Sequence, residues 1–133
     1  MALDNPPMSP DGGPWQQRRA ARAALAVLWL ALFGVISVLA LEPQPVGPPS
    51  TGLDKLDHLA AFAVLSGIGS VVVAGRRAGW LLLGLCAYGG LIEWLQMGIE
   101  GRAAEWGDWL ADVVGVLLGW LACKGLLKLT SRR

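Results

Sequence analysis

Four stretches of apolar side chains, each 19 or 20 residues long, divide the chain, and most of its charged residues collect between or beside them. The first, Ala23 to Leu41, is interrupted only by Ser37 and is bracketed by Arg22 and Glu42. The second, about Leu56 to Ala74, is mainly apolar after His58, and the third, about Ala78 to Met97, carries Glu93 and Gln96 in its last turns. The fourth, about Trp109 to Leu127, has Asp112 near its start and Lys124 near its end. A helix rises about 1.5 Å per residue, so about 20 residues cross a bilayer core of about 30 Å, and a crossing helix satisfies its own backbone. The pattern therefore predicts an all-α integral membrane protein, a four-transmembrane-helix bundle.

Proline placement agrees, because a proline inside a helix removes a hydrogen bond and clashes with the preceding turn. All eight prolines lie outside the four stretches, four in the N-terminal segment and four between Pro43 and Pro49. The predicted organisation is a disordered cytoplasmic tail over residues 1–19, a four-helix membrane domain over 20–129 and a basic C-terminal tail over 130–133. The first tail is rich in Pro and Gly and has no apolar period, which is the signature of a chain that cannot bury a core. A cleavable leader is the rival reading of the first stretch, since Arg18, Arg19 and Arg22 precede it and Val38-Leu39-Ala40 resembles a cleavage site. Its 19-residue apolar run exceeds the 7–15 residues of a secretory core, which favours a retained span.

Basic residues set orientation, because Lys and Arg near span ends stay on the cytoplasmic side. With the N-terminus inside, nine of the 11 lie inside (Arg18, Arg19, Arg22, Arg76, Arg77, Lys124, Lys128, Arg132 and Arg133) and only Lys55 and Arg102 lie outside. This predicts an N-in/C-in topology in the bacterial cytoplasmic (inner) membrane. Trp80 and Trp120 then fall near the inner interface and Trp94, Trp106 and Trp109 near the outer one, as aromatic belts do, whereas Trp29 fits neither.

Composition changes the picture in two respects. Hydrophobic residues make up 54% of the 133, and 18 glycines take the apolar share to about two-thirds, above the 45–50% of soluble domains. A net charge of +1 argues against the basic face of a nucleic-acid binder, so no nucleic acid is expected as a partner. Cys86 and Cys123 sit in apolar runs without metal-ligand spacing and read as small apolar side chains.

On this topology three polar groupings meet at one membrane face. Asp54, Asp57 and His58 share one side of the second helix, with Lys55 one turn from His58, and Glu93 and Gln96 share a side of the third, with Gly89 and Gly90 a turn deeper. Arg102, Glu105, Asp108 and Asp112 form the third grouping, and Asp108, Asp112, Gly115 and Gly119 make a single stripe in which the glycines are a packing seam. A carboxylate one turn inside a span costs a few kcal/mol if it faces lipid, so Glu93 and Asp112 are expected to face the bundle and to converge with His58. Arg102 and Lys55 are the available counter-ions, with Arg102 the first choice. His58 among Glu93, Asp108 and Asp112 is a candidate general base or one ligand of a divalent cation. No nucleophile elbow, phosphate loop or zinc-protease motif is present in the sequence.

At these residues the chain resembles the VanZ-like family of small bacterial membrane proteins. The resemblance runs over about residues 54–119 and takes in Asp54-Lys55 and His58, then Glu93 and Gln96, then Arg102, then Asp108, Asp112, Gly115 and Gly119. It implies a four-helix membrane domain with its polar motif residues at the outer helix ends. Many members have Asn at the place of Asp112, so a second acid there favours cation or proton binding. The family takes its name from a protein associated with resistance to a glycopeptide antibiotic.

Two readings of function follow. In the first, an outward-facing acidic and histidine pocket binds or modifies a lipid headgroup or an envelope glycan precursor, with His58, Glu93, Asp108 and Asp112 as candidate catalytic groups and Lys55, Gln96 and Arg102 as substrate-binding groups. In the second, the protein is a non-enzymatic membrane scaffold whose polar cluster only fixes helix packing, with function in contacts with other envelope proteins.

Overall fold

The computed structural model describes residues 13–43, 53–73, 75–102 and 104–131. The tail over residues 1–12, most of the first connection and the final two residues, for which sequence expectations were stated, lie outside the described residues. The described regular structure is helical: α1 (Pro14–Ala40), α2 (Leu53–Val73), α3 (Ala78–Gln96) and α4 (Trp106–Thr130), with a single 3₁₀ turn over Gly75–Arg77 between α2 and α3. All four α-helices are long and apolar enough to cross a membrane.

Three of the four helices, α1, α2 and α4, start earlier than their apolar stretches. The first begins at Pro14, where a proline costs no hydrogen bond because the first N–H groups of a helix have no partner within it. Residues 14–19, expected in the disordered tail, are therefore helical, and Arg18, Arg19 and Arg22 ride on an exposed extension of α1. The fourth begins at Trp106 and puts Asp108 in its first turn, where the helix dipole favours negative charge. Gly101, in the α3–α4 connection, has φ +77°, a left-handed conformation that glycine adopts without strain.

The buried residues of α4 are Asp108, Asp112, Gly115, Val116, Gly119 and Cys123, a stripe at three- and four-residue spacing. That stripe meets α2. A β-carbon on Gly115 would strike the carbonyl of Leu59, and one on Gly119 would strike the carbonyl of Ala63, so the two backbones approach closely. Such approach is a main source of helix association where surrounding lipid is as apolar as the side chains. Ser66 strengthens the seam by donating its hydroxyl to the Val116 carbonyl at 2.6 Å.

The core is small: Phe62, Leu65, Leu85, Ile92 and Val116 are buried, with Trp29, Phe33 and Tyr88 among the side chains packed against them. Trp29, which fitted no interfacial belt, ties α1 to α2 instead. Its indole N–H donates to the Leu65 carbonyl at 2.8 Å, and its ring stacks on Phe33 with centroids 5.5 Å apart. The same indole occupies the space a side chain at Gly69 would need. Trp109, expected in the outer belt, is also half-buried, donating its indole N–H to the Cys86 carbonyl at 3.0 Å. Trp80, Trp94 and Trp106 stay exposed on the bundle surface. Both cysteines are free thiols.

Candidate functional site

The start of α2, the end of α3 and the start of α4 lie at one end of the bundle, and the end of α1 joins them there. Polar side chains tie the four together. Lys55 pairs with Glu105 at 2.7 Å and with Asp108 Oδ1 at 3.2 Å, the second contact being an ion pair without hydrogen-bond alignment. Glu93 Oε2 accepts the backbone N–H of Glu105 at 2.9 Å, which fastens the entry of α4 to α3.

One turn further into the bundle, His58 Nδ1 lies 2.9 Å from Asp112 Oδ1. With Asp112 ionised its carboxylate can only accept, so Nδ1 then carries the proton and Nε2 of a neutral ring keeps its lone pair. Asp112 has no exposed surface at all, and its second oxygen lies where a side chain on Gly89 would stand, 2.5 Å from that glycine's ideal β-carbon. Glycine at 89 is thus what lets the Asp112 carboxylate lodge against α3.

Donor atoms of His58, Glu93 and Asp108 all lie within 4.8 Å of one another. Glu93 and Asp108 are each only 7% exposed. Three oxygens of this region, Glu93 Oε1, Asp108 Oδ1 and Asp112 Oδ2, are buried without a hydrogen-bond partner among the described residues. Buried carboxylate oxygens are normally satisfied, because removing them from water unpaired is costly. Their presence in one small region is the most unusual feature of the fold.

The structure therefore brings Lys55, His58, Glu93, Asp108 and Asp112 into one cluster. Gln96 and Arg102 take a different position. Gln96 is buried and donates its amide N–H to the Ala40 carbonyl at 2.8 Å, while Arg102 donates Nη2 to the Leu39 carbonyl at 3.0 Å and Nε to the Glu42 carbonyl at 3.2 Å. Both satisfy carbonyls at the C-terminal end of α1, where a helix has acceptors without partners and a negative dipole end. Arg102 is thus not the counter-ion of the carboxylates expected from the sequence. Lys55 is the cation beside them and His58 a hydrogen-bonding partner of Asp112, because the connection after α3 carries Arg102 toward α1 and away from α4. Asp54 and Asp57 are exposed and lie outside the cluster.

Glu105 belongs to the third polar grouping of the sequence but has no predicted role in the site. It accepts Lys55 with its side chain and gives its backbone N–H to Glu93, so it closes the cluster on two sides. The available signal was its position three residues before Asp108, on the same face once the helix begins.

Two apolar grooves run along the outside of the bundle, one lined by α1 residues such as Leu30 and Val35 and one between α2 and α4 lined by Val64, Ile68 and Leu118. Neither of these two grooves is lined by a residue of the cluster.

A bundle of four membrane-crossing helices with a polar knot at one end defines a small multi-pass membrane protein. The chain belongs to the VanZ/LLP1 family, whose model matches residues 10–128. Comparison with curated proteins and with solved structures gives no match.

Proposed function

We propose that this protein resides in the bacterial cytoplasmic membrane with both termini inside, and that the cluster binds the polar headgroup of a lipid or lipid-linked envelope glycan precursor at the outer leaflet. The orientation is supported by the nine-to-two division of basic residues. The observation that carries the binding site is the pair of buried carboxylate oxygens without partners, Glu93 Oε1 and Asp112 Oδ2, in the cluster around His58. A packing knot gains nothing from open acceptors, whereas a site that receives a ligand needs them.

In this reading His58, Glu93, Asp108 and Asp112 form the reactive or binding groups. Lys55 bridges Glu105 and Asp108 with its single charge. Gln96 and Arg102 hold α1 against the site and contribute through its shape.

The scaffold reading is favoured by a different observation, that Lys55, Glu93, Gln96 and Arg102 each bond to another helix or its flanking chain. Native mass spectrometry of the detergent-purified protein separates the two. Phosphatidylglycerol, phosphatidylethanolamine and a polyprenyl-pyrophosphate-linked glycan should be retained by the wild type in a ranked order, and Glu93→Gln should lose the preferred lipid while its melting temperature changes little. If Glu93→Gln melts far lower and lipid retention shows no preference in the wild type, the scaffold reading stands.

A further inference from the structure

We infer that His58, Glu93 and Asp108 form a divalent-cation site in which Asp112 orients the histidine. The inference rests on the proposal that the cluster is a ligand site, and it names what that site holds.

The chemistry begins with His58. Its Nδ1 is committed to the Asp112 carboxylate at 2.9 Å, which leaves Nε2 as the free lone pair. A metal-bound histidine typically gives its other ring N–H to a carboxylate, which sets the tautomer and the ring orientation. The same pairing makes Asp112 a positioning residue, held by Gly89 at its back and by the imidazole at its front.

Two acids complete the donor set. Glu93 keeps Oε1 buried and free while Oε2 is held by the Glu105 N–H, so one arm of the carboxylate is anchored and the other is available. Asp108 Oδ1 is buried and lies beside the Lys55 ammonium without hydrogen-bond alignment. Lys55 keeps Glu105 as its closer partner at 2.7 Å, so a cation at Asp108 does not leave the ammonium alone.

The spacing is compatible with closure around an ion. One donor atom from each of His58, Glu93 and Asp108 lies within 4.8 Å of the others, and side-chain rotation would have to bring the free donors to the separation of about 3–3.4 Å that metal–donor bonds of ~2.1 Å impose. One imidazole and two carboxylates suit a borderline or moderately hard ion such as Mn²⁺ or Zn²⁺. Three protein donors leave further positions on such an ion for water or for a phosphate oxygen. A divalent cation also offsets most of the charge of the site: four acids, Glu93, Glu105, Asp108 and Asp112, outnumber Lys55, and a phosphate headgroup is repelled by that surplus until a cation bridges it.

The test uses the full chain purified in detergent, stripped with EDTA and titrated with MnCl₂ while electron paramagnetic resonance follows free Mn²⁺. The wild type should bind one Mn²⁺ per chain, and pulsed measurements should show coupling to an imidazole nitrogen. Glu93→Gln should weaken binding at least tenfold, Asp112→Asn by about 10–100-fold with one ion still bound, and Asp57→Asn not at all. Circular dichroism and melting confirm that each variant is folded. The nitrogen coupling needs only the wild type, so it decides the matter even if a variant misfolds. No stoichiometric binding, bound Mn²⁺ without nitrogen coupling, or equal affinity in folded Glu93→Gln overturns the site. Lipid retention is measured in parallel with EDTA and with Mn²⁺. Retention that persists in EDTA with no Mn²⁺ bound overturns the cation site and leaves the headgroup reading standing, whereas nitrogen-coupled Mn²⁺ binding without lipid preference upholds the cation site and removes the headgroup.

Discussion

The carboxylate of Asp112, on α4, occupies the space that a side chain at Gly89, on α3, would fill. An acid with no exposed surface thus depends on a glycine of another helix for its place, and through Asp112 so does the orientation of His58. Gly89→Ala should therefore displace Asp112 and lower stability by about 1–3 kcal/mol, as overpacking of a tight core does. Gly84→Ala is the control, because open space surrounds it. Thermal melts of both variants in detergent check this, and equal melting temperatures would refute it.

The α2–α4 seam gives a second expectation. Gly115 faces the Leu59 carbonyl, whereas Leu117 is 48% exposed on the outer side of the same helix. Gly115→Leu should lower the melting temperature in detergent by more than Leu117→Ala, since backbone cannot yield as a flexible side chain can. The opposite ranking would mean that α4 is turned the other way in the folded protein.

Gln96 and Arg102 should matter to α1 more than to the cluster. Replacing Gln96 by Leu removes the donor to the Ala40 carbonyl, a loss of about 1–3 kcal/mol, and replacing Arg102 by Ala removes exposed donors at the end of α1, a smaller loss of about 0.5–1.5 kcal/mol. Hydrogen exchange should then quicken over the last turns of α1, with α4 unchanged. Faster exchange at the start of α4 instead would tie these residues to the acid cluster.

Topology is tested by labelling. In a background with Cys86 and Cys123 changed to Ala, single cysteines at Ser50 and Gly101 should react with an impermeant thiol reagent in cells whose outer membrane has been permeabilised. Protection of both would overturn the proposed orientation with both termini inside.

Much of this molecule was legible one residue at a time. The number of helices, their approximate limits and the gathering of acids at one end follow from solvent exclusion, since a hydrocarbon core tolerates only long apolar helices and sends charge to their ends. The stripe of Asp108, Asp112, Gly115 and Gly119 was visible too, because helical periodicity puts residues three and four apart on one face whatever that face meets. The early start of α1 was less visible, since residues 14–19 are polar and apolarity marks only the part of a helix that lipid covers.

Partners were a different matter. Arg102 lies close in sequence to the acids and reads as their counter-ion, yet it turns to the carbonyls ending α1, which are more than 55 residues away and have no other donors of their own helix. Trp29 and Trp109 read as belt or unexplained aromatics and prove to be straps, because a carbonyl on another helix came within reach of each indole. Spacing along the chain reports which residues share a face, and the identity of the face opposite depends on helix rotation and register. Those are decided by where glycines let backbones and carboxylates approach, a property of three helices together that no single stretch of sequence contains.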